Sequence, residues 1–341
     1  MKEKIKIIVF VFILFLLFSS VFFYYLKKER ESFVFTNDIV PVVHEKPEVK
    51  TAELVFVGDV MLARGIDYYM RKSEDYSKHW QNVSGFLSNA DIAFANLESP
   101  ISDRGANVGG IYSFRANPIV IEGMKTAGID IVSFANNHVW DWGRGAFEDT
   151  LDRLSASGIT YVGAGLDYNE SHYYKVFEKN DIKIAYLAYT NLVAKWLRED
   201  SASPSIAGIE KEKIAEDIFK AKQSGADIII TSFHFGEEYE TTHNEYQESI
   251  AHFAIDNGAN LVIGHHPHVA QDIELYKDGF IAYSLGNFIF DQNFSDDTSW
   301  GLGIRAFVSK EGIVSIEKAI FDFDEEFVPS LRGFYSVKES R

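Results

Sequence analysis

The sequence predicts an α/β protein, and three observations carry that prediction. Short β-branched apolar runs alternate with stretches of helical spacing from residue 51 onward. A glycine closes a helix and a strand follows at once in Ala127-Gly128-Ile129-Asp130, Ser224-Gly225-Ala226-Asp227 and Asn257-Gly258-Ala259-Asn260. Five strand-like runs end in residues able to bind a metal, and ligands of open α/β sheets gather at the carboxyl ends of strands. Such alternation implies largely parallel strands covered by helices.

In chain order, residues 54–57 form a strand leading into Gly58-Asp59, and residues 91–95 one leading into Asn96-Leu97-Glu98. Residues 130–134 run into Asn136-Asn137-His138, and a helix follows over 144–157, where Phe147, Leu151 and Leu154 keep helical spacing. A helix over 210–223 precedes the strand 227–231, which runs on to His234. A helix over 244–257 precedes the strand 261–263, which runs into Gly264-His265-His266-Pro267-His268. Residues 280–285, 303–309 and 312–321 read as strands with little helix between them, which predicts a second, more antiparallel sheet.

The chain has 341 residues, a net charge of −17 and a pI of about 5.0. This balance argues against a nucleic-acid partner, because phosphate backbones are bound by clustered Lys and Arg. It also implies repulsion from an anionic polymer unless cations or local basic residues intervene. The absence of cysteine excludes disulfides, thiolate metal sites and a cysteine nucleophile.

Residues 7–26 are continuously apolar apart from Ser19-Ser20. At helical rise they span a hydrocarbon core of roughly 30 Å, and no A-x-A-like cleavage site follows. Residues 1–26 are therefore expected to be an uncleaved membrane anchor, and residues 27–50, with Pro41 and Pro47, a stalk. One domain is expected over 51–330, followed by a tail over 331–341. Lys2, Lys4 and Lys6 before the run nearly balance Lys27, Lys28 and Arg30 after it, so charge alone does not orient the segment.

His266-Pro267-His268 is the strongest single motif: residues i and i+2 can face one cavity, and proline stiffens the backbone between them. Imidazole suits Zn, Mn and Fe. Asp59 follows a strand and a glycine, and Glu98 has two oxygens with which to bridge two cations. Asn136, Asn137 and His138 end a buried-looking strand and need partners there. Asp141 either orients the His138 imidazole or caps the following helix. His234 gains weight from its place at a strand exit; Glu238 and Tyr239 after it are either supporting or substrate-facing. Arg64 and Arg115 are anion clamps or simply surface ion pairs. His265 is expected to be supporting or structural, and His79, His172, His243 and His252 ordinary exposed or helical residues.

In this order, the motifs resemble the calcineurin-like metallophosphoesterase superfamily, and more closely its CapA branch, the poly-γ-glutamate capsule-biosynthesis proteins. The resemblance runs through Val57-Gly58-Asp59-Val60-Met61-Leu62-Ala63-Arg64, Ala95-Asn96-Leu97-Glu98-Ser99-Pro100, Phe134-Ala135-Asn136-Asn137-His138 with Asp141 and Gly143, and Gly163-Ala164-Gly165. It closes with His234-Phe235-Gly236-Glu237-Glu238-Tyr239, Gly264-His265-His266-Pro267-His268-Val269 and Tyr283-Ser284-Leu285-Gly286-Asn287-Phe288. It implies a four-layer α/β/β/α sandwich with a centre of one or two divalent ions (Mn, Fe or Zn). Asp59 and His268 would hold one ion, and Asn137, His234 and His266 the other. Glu98 would bridge them and His138 donate a proton.

Two departures from the superfamily pattern stand out. Met61 takes the place of the histidine of D-x-H, and a thioether is a poor ligand for a hard or borderline ion. Glu98 stands where an aspartate is usual. The resemblance further implies a single-pass protein whose main domain lies outside the cell membrane, with polyglutamate synthesis or export proteins and an anionic polymer as partners. Three readings follow: a component of polymer synthesis or export, a metal-dependent hydrolase of a phosphoester or amide in an envelope polymer, and a non-catalytic surface scaffold.

Overall fold

The computed structural model describes residues 50–108, 110–199 and 203–337. The expected anchor and nearly all of the expected stalk lie outside these. Among the described residues no helix is long and apolar enough to cross a membrane.

The first half contains β1 (Ala52–Val60), α1 (Arg64–Ser73), α2 (Ser84–Ser88), β2 (Ile92–Leu97), α3 (Val120–Ala127), β3 (Ile131–Ser133), α4 (Gly143–Ser157), β4 (Thr160–Val162), β5 (Ala164–Gly165), α5 (Tyr168–Ser171), β6 (Lys175–Lys179) and β7 (Ile182–Thr190). There follow α6 (Trp196–Glu199), β8 (Ser205–Ile206), α7 (Lys211–Gln223), β9 (Ile228–His234), α8 (Glu245–Asp256), β10 (Leu261–His265), β11 (Ile273–Tyr276) and β12 (Gly279–Ala282). The last strands are β13 (Asn287–Ile289), β14 (Trp300–Ser309), β15 (Gly312–Phe323) and β16 (Pro329–Ser336). The fold is mixed α/β, and the helices expected over 144–157, 210–223 and 244–257 coincide with α4, α7 and α8 to within a residue. Gly128, Gly225 and Gly258 follow their helices at φ +91°, +87° and +111°, a conformation that a Cβ disfavours.

One sheet runs β16-β15-β14-β1-β2-β3-β4, with β13 added beside β1; a second runs β11-β12-β10-β9-β7-β6, and β5 pairs with β8 in a small third one. In the first, β1 to β4 are parallel and β14 to β16 antiparallel. In the second, β12, β10, β9 and β7 are parallel and both edge strands antiparallel. The expectation that 303–309 and 312–321 belong to a separate antiparallel sheet is therefore corrected. They extend the sheet of β1, because β14 pairs with β1 and turns its apolar face into the same core. The strand read at 280–285 ends at Ala282 and belongs to the other sheet. The sheet also continues past the domain end expected at 330, since β16 pairs with β15 as far as Ser336.

Side-chain alternation sorts the core. Ile228 and Ile230 join the cluster shared with β1 and β2, whereas Ile229 joins the one formed with α7 and α8. The same division separates Leu261 and Ile263 from Val262, and Phe280 and Ala282 from Ile281. Between the sheets Phe94 stacks on Tyr186 at 5.9 Å. Helix α4 buries Phe147, Leu151 and Leu154 in this shared core, with Phe147 stacked on Phe134. Buried on both faces, β1, β2, β9 and β10 can carry polar groups only where those groups meet partners at the strand ends.

Two histidines read as ordinary surface or helical residues are buried instead. His79 places Nε2 2.8 Å from the Glu326 carbonyl, and His172 places Nδ1 2.8 Å from Asp217. Both partners are distant in sequence. His243 and His252 lie half-buried, stacked on Tyr283 and Tyr276.

Candidate metal centre

The parallel register brings the strand exits together. Asp59 lies in β1 beside Asn96 of β2, and His265 ends β10 opposite His234 of β9. Asp59, Glu98, His234, His266 and His268 are all buried, while Asn137 and His138 are half-buried.

Asn96, which the sequence reading left without a role, organises the inner wall. Its Nδ2 donates to Asp59 Oδ1 at 2.8 Å and to Glu98 Oε2 at 3.2 Å, and lies 3.3 Å from His234 Nδ1. The signal for it was a polar residue inside a buried strand. Asn287 is a second omission. Its Oδ1 lies 3.1 Å from His268 Nδ1 and orients the ring, whose Nε2 stands 3.6 Å from Glu98 Oε1. His268 Nδ1 also lies 3.4 Å from Asp59 Oδ2, and His265 Nδ1 lies 3.3 Å from Asp59 Oδ1. On the other side His234 Nε2 meets Asn137 Oδ1 at 2.8 Å, and the His234 and His266 rings lie 4.8 Å apart.

His138 stands at the edge of this set, with Nε2 3.8 Å from Glu98 Oε1 and Nδ1 2.8 Å from Asp141 Oδ2. The same Asp141 oxygen accepts from the Phe114 amide at 2.7 Å, and the Phe114 ring lies 4.0 Å from the imidazole. Asp141 thus bonds the histidine, and no side-chain cap is made at the start of α4.

Arg64 pairs with Asp291 through two nitrogens, and its guanidinium lies over Phe114. Arg115 lies 3.5 Å over Trp142 and donates to the Arg104 carbonyl. Both guanidiniums thus have partners within the protein. Met61 is buried, and its sulfur accepts from the Ala63 amide at 3.2 Å.

Among the described residues two groups have the make-up of an ion site: Asp59, Glu98 and His268, and Glu238, His266 and His268, the ligand atoms of each lying within 4.8 Å of one another. The polar inventory fits a divalent ion. Glu98 Oε1 and His266 Nδ1 are buried without a hydrogen-bond partner, a costly state that a cation would relieve. Burial raises the Asp59 pKa, but bonds and charge from His265 and His268 outweigh it and hold the carboxyl well below the usual range. Burial, then the Asp59 and Glu238 charges, push Glu98 well above its ordinary value. Burial, then the facing histidines, keep His234 neutral and bring His266 down to about 3, and neutral imidazole is the form that binds metals. His266 and His268 have φ of +100° and +59°, a strain of about 1–3 kcal/mol each that is typical of functional sites.

The sign of the Glu98 shift makes a prediction. Its folded pKa lies above the unfolded value of 4.5, so its contribution is fully present below about 4.5 and is lost as pH rises through the folded value. Without metal, Glu98→Gln is therefore expected to be more stable than wild type at pH 8, with the gap closing as pH falls toward 4.5. Saturating Mn²⁺ or Zn²⁺ should reverse the order, because an ion bound only by the folded state adds about 2.7 kcal/mol at a hundred times Kd. Urea unfolding with chelator and with metal measures both; the same order in both conditions would sink the metal centre.

The family model described as "Bacterial capsule synthesis protein PGA_cap" matches residues 53–292. The chain is 30% identical over 274 residues to "Capsule biosynthesis protein CapA" of Bacillus anthracis, covering 76% of this chain and 64% of that one. It is 28% identical over 289 residues to "PGA biosynthesis protein CapA" of Bacillus subtilis, covering 82% and 75%. The alignment thus takes in less than two thirds of the anthracis protein's length. Among solved structures, Haemophilus influenzae NAD nucleotidase (NadN) superposes with a TM-score of 0.49 at 11% identity, over 85% of this chain and 60% of that one. Since the family model takes in most of the chain, including Asp59, Glu98, His234, His266 and His268, the protein belongs to the PGA_cap family of bacterial capsule synthesis proteins.

Proposed function

We propose that the protein serves the synthesis or export of a poly-γ-glutamate capsule polymer through a divalent-metal centre at its strand ends. The observation that carries this reading is the convergence of Asp59, Glu98 and His268 in a buried group with Glu98 Oε1 left unpartnered. The family and its CapA relatives supply the polymer. Asp59, Glu98 and His268 would hold one ion, and Asn137, His234 and His266 a second. Mn, Fe or Zn suits this mixture of carboxylate, amide oxygen and imidazole. The proposal extends to a four-layer α/β/β/α sandwich of metallo-dependent phosphatase type. It also places residues 1–26 in the cell membrane, 27–50 as a stalk and the domain from residue 51 onward outside, beside polyglutamate synthesis or export proteins.

A second reading, hydrolysis of a phosphoester or amide in an envelope polymer, is favoured by the His138–Asp141 pair. A bound ion supplies Lewis acidity and lowers the pKa of water. The chain's own part is then proton transfer: Asp141 accepts from His138 Nδ1 and fixes the ring, so that Nε2, at the Glu98 side, delivers a proton to the leaving group. Metal analysis of the purified chain and hydrolysis of a generic phosphodiester test both readings. One or two equivalents of Mn, Fe or Zn are expected. If the chain hydrolyses the diester, Asp141→Asn should retain the metal and lose on the order of 100-fold in rate. No bound metal defeats both readings. Bound metal without hydrolysis leaves the first alone, and hydrolysis unchanged in Asp141→Asn removes His138 as the acid.

A further inference from the structure

We infer that Glu238 is a metal ligand, reaching the centre from its open side. This deepens the metal-centre reading above and rests on it. The Glu238 carboxylate and one nitrogen each of His266 and His268 lie within 4.8 Å of one another. His266 is only 7% exposed and its Nδ1 has no hydrogen-bond partner. An acidic side chain on an exposed loop is commonplace; one facing two buried imidazoles, one of them with an orphaned nitrogen, is a ligand set.

The loop is built to hold the carboxylate there. At one end the Phe235 amide donates to the His265 carbonyl at 3.1 Å; at the other the Tyr239 amide donates to the Pro267 carbonyl at 2.8 Å. Between them Gly236, at φ +93°, packs so closely on Gln247 that a Cβ would lie 2.7 Å from its amide carbon. Residues 235–239 are thus laced along the His265–Pro267 turn. His268 is common to both ligand groups. Asp59 and Glu98 reach it from the buried side and Glu238 from the exposed side.

Titration of the full-length, metal-stripped chain with Mn²⁺ and with Zn²⁺, followed by calorimetry and by Mn²⁺ spin resonance, tests the assignment. Glu238→Gln is expected to lose one equivalent or about 100-fold in affinity for one ion, and Glu238→Asp to recover part of it. The metal-free melting temperature should not change, since the side chain is exposed. Glu238→Gln binding both ions as wild type does, while His268→Ala loses one, would overturn the role of Glu238 and leave the centre standing. A wild-type chain that binds neither ion overturns the centre itself.

Discussion

A strain carrying Asp59→Ala with Glu98→Ala is expected to make at least tenfold less capsule polymer while holding the protein at its normal level. The two carboxylates are fully buried and share one donor, Asn96 Nδ2. Two negative charges in so dry a place repel one another, which is why Glu98 is driven toward its protonated form by burial and by Asp59. A structural pair would ordinarily meet a cationic side chain; here the neighbours are the imidazoles of His265, His268 and His138. Removing both carboxylates removes the charge that a divalent ion answers, so metal and polymer should be lost together.

Because alanine also leaves cavities, the isosteric pair Asp59→Asn with Glu98→Gln should be made in parallel. It preserves volume and most hydrogen bonds and takes away only the charge. Equal polymer loss in both strains, with immunoblots showing the protein present, supports a metal-based role. Normal polymer in the isosteric strain removes the centre from capsule production and leaves the scaffold reading.

Much of this centre was legible because of how buried strands are written. A run such as Ile228–Ser232 can hide both faces only in a central position, so the first ionisable residue at its end faces a site rather than solvent. That logic reaches Asp59, Glu98, His234 and His266 from single segments. It cannot reach interactions defined only by which strands become neighbours. Asn96 meets Asp59 because β1 pairs with β2, and Asn287 meets His268 because the chain returns from one sheet to the other. Asp291 claims Arg64 from 227 residues away. The sheet membership of β14 and β15 is hidden for the same reason: an amphipathic strand reads alike at the edge of either sheet.

Glu238 shows a further limit. Sequence places it four residues after a strand exit, on a polar loop, which is equally consistent with contacting a substrate. Only the lacing of that loop along the His265–Pro267 turn brings its carboxylate to two imidazoles.

Gly264→Ala is expected to cost about 3 kcal/mol or more and to abolish metal binding, although it adds one methyl group far below the surface chemistry. The segment from Tyr283 to Asn287 carries the chain from β12 in one sheet to β13 in the other. On the way it presses on two glycines that stand directly before site residues. A Cβ on Gly264 would lie 1.9 Å from the Tyr283 carbonyl oxygen, and one on Gly58 would lie 2.0 Å from the Gly286 carbonyl oxygen. Both obstacles are backbone and cannot swing aside as a side chain end could. The same crossing is hydrogen-bonded in place, with the Leu285 amide donating to the Gly264 carbonyl and the Asp59 amide to the Gly286 carbonyl. A methyl group at Gly264 must therefore push the crossing off its bonds and move Asn287 from His268. Gly85, in the short helix α2, gives the control: a Cβ there meets nothing within 4 Å, so Gly85→Ala should be neutral or stabilising by up to about 1 kcal/mol. Denaturant unfolding of the two variants separates them. Near-native stability and metal affinity in Gly264→Ala would mean that the crossing does not hold the two halves of the centre in register.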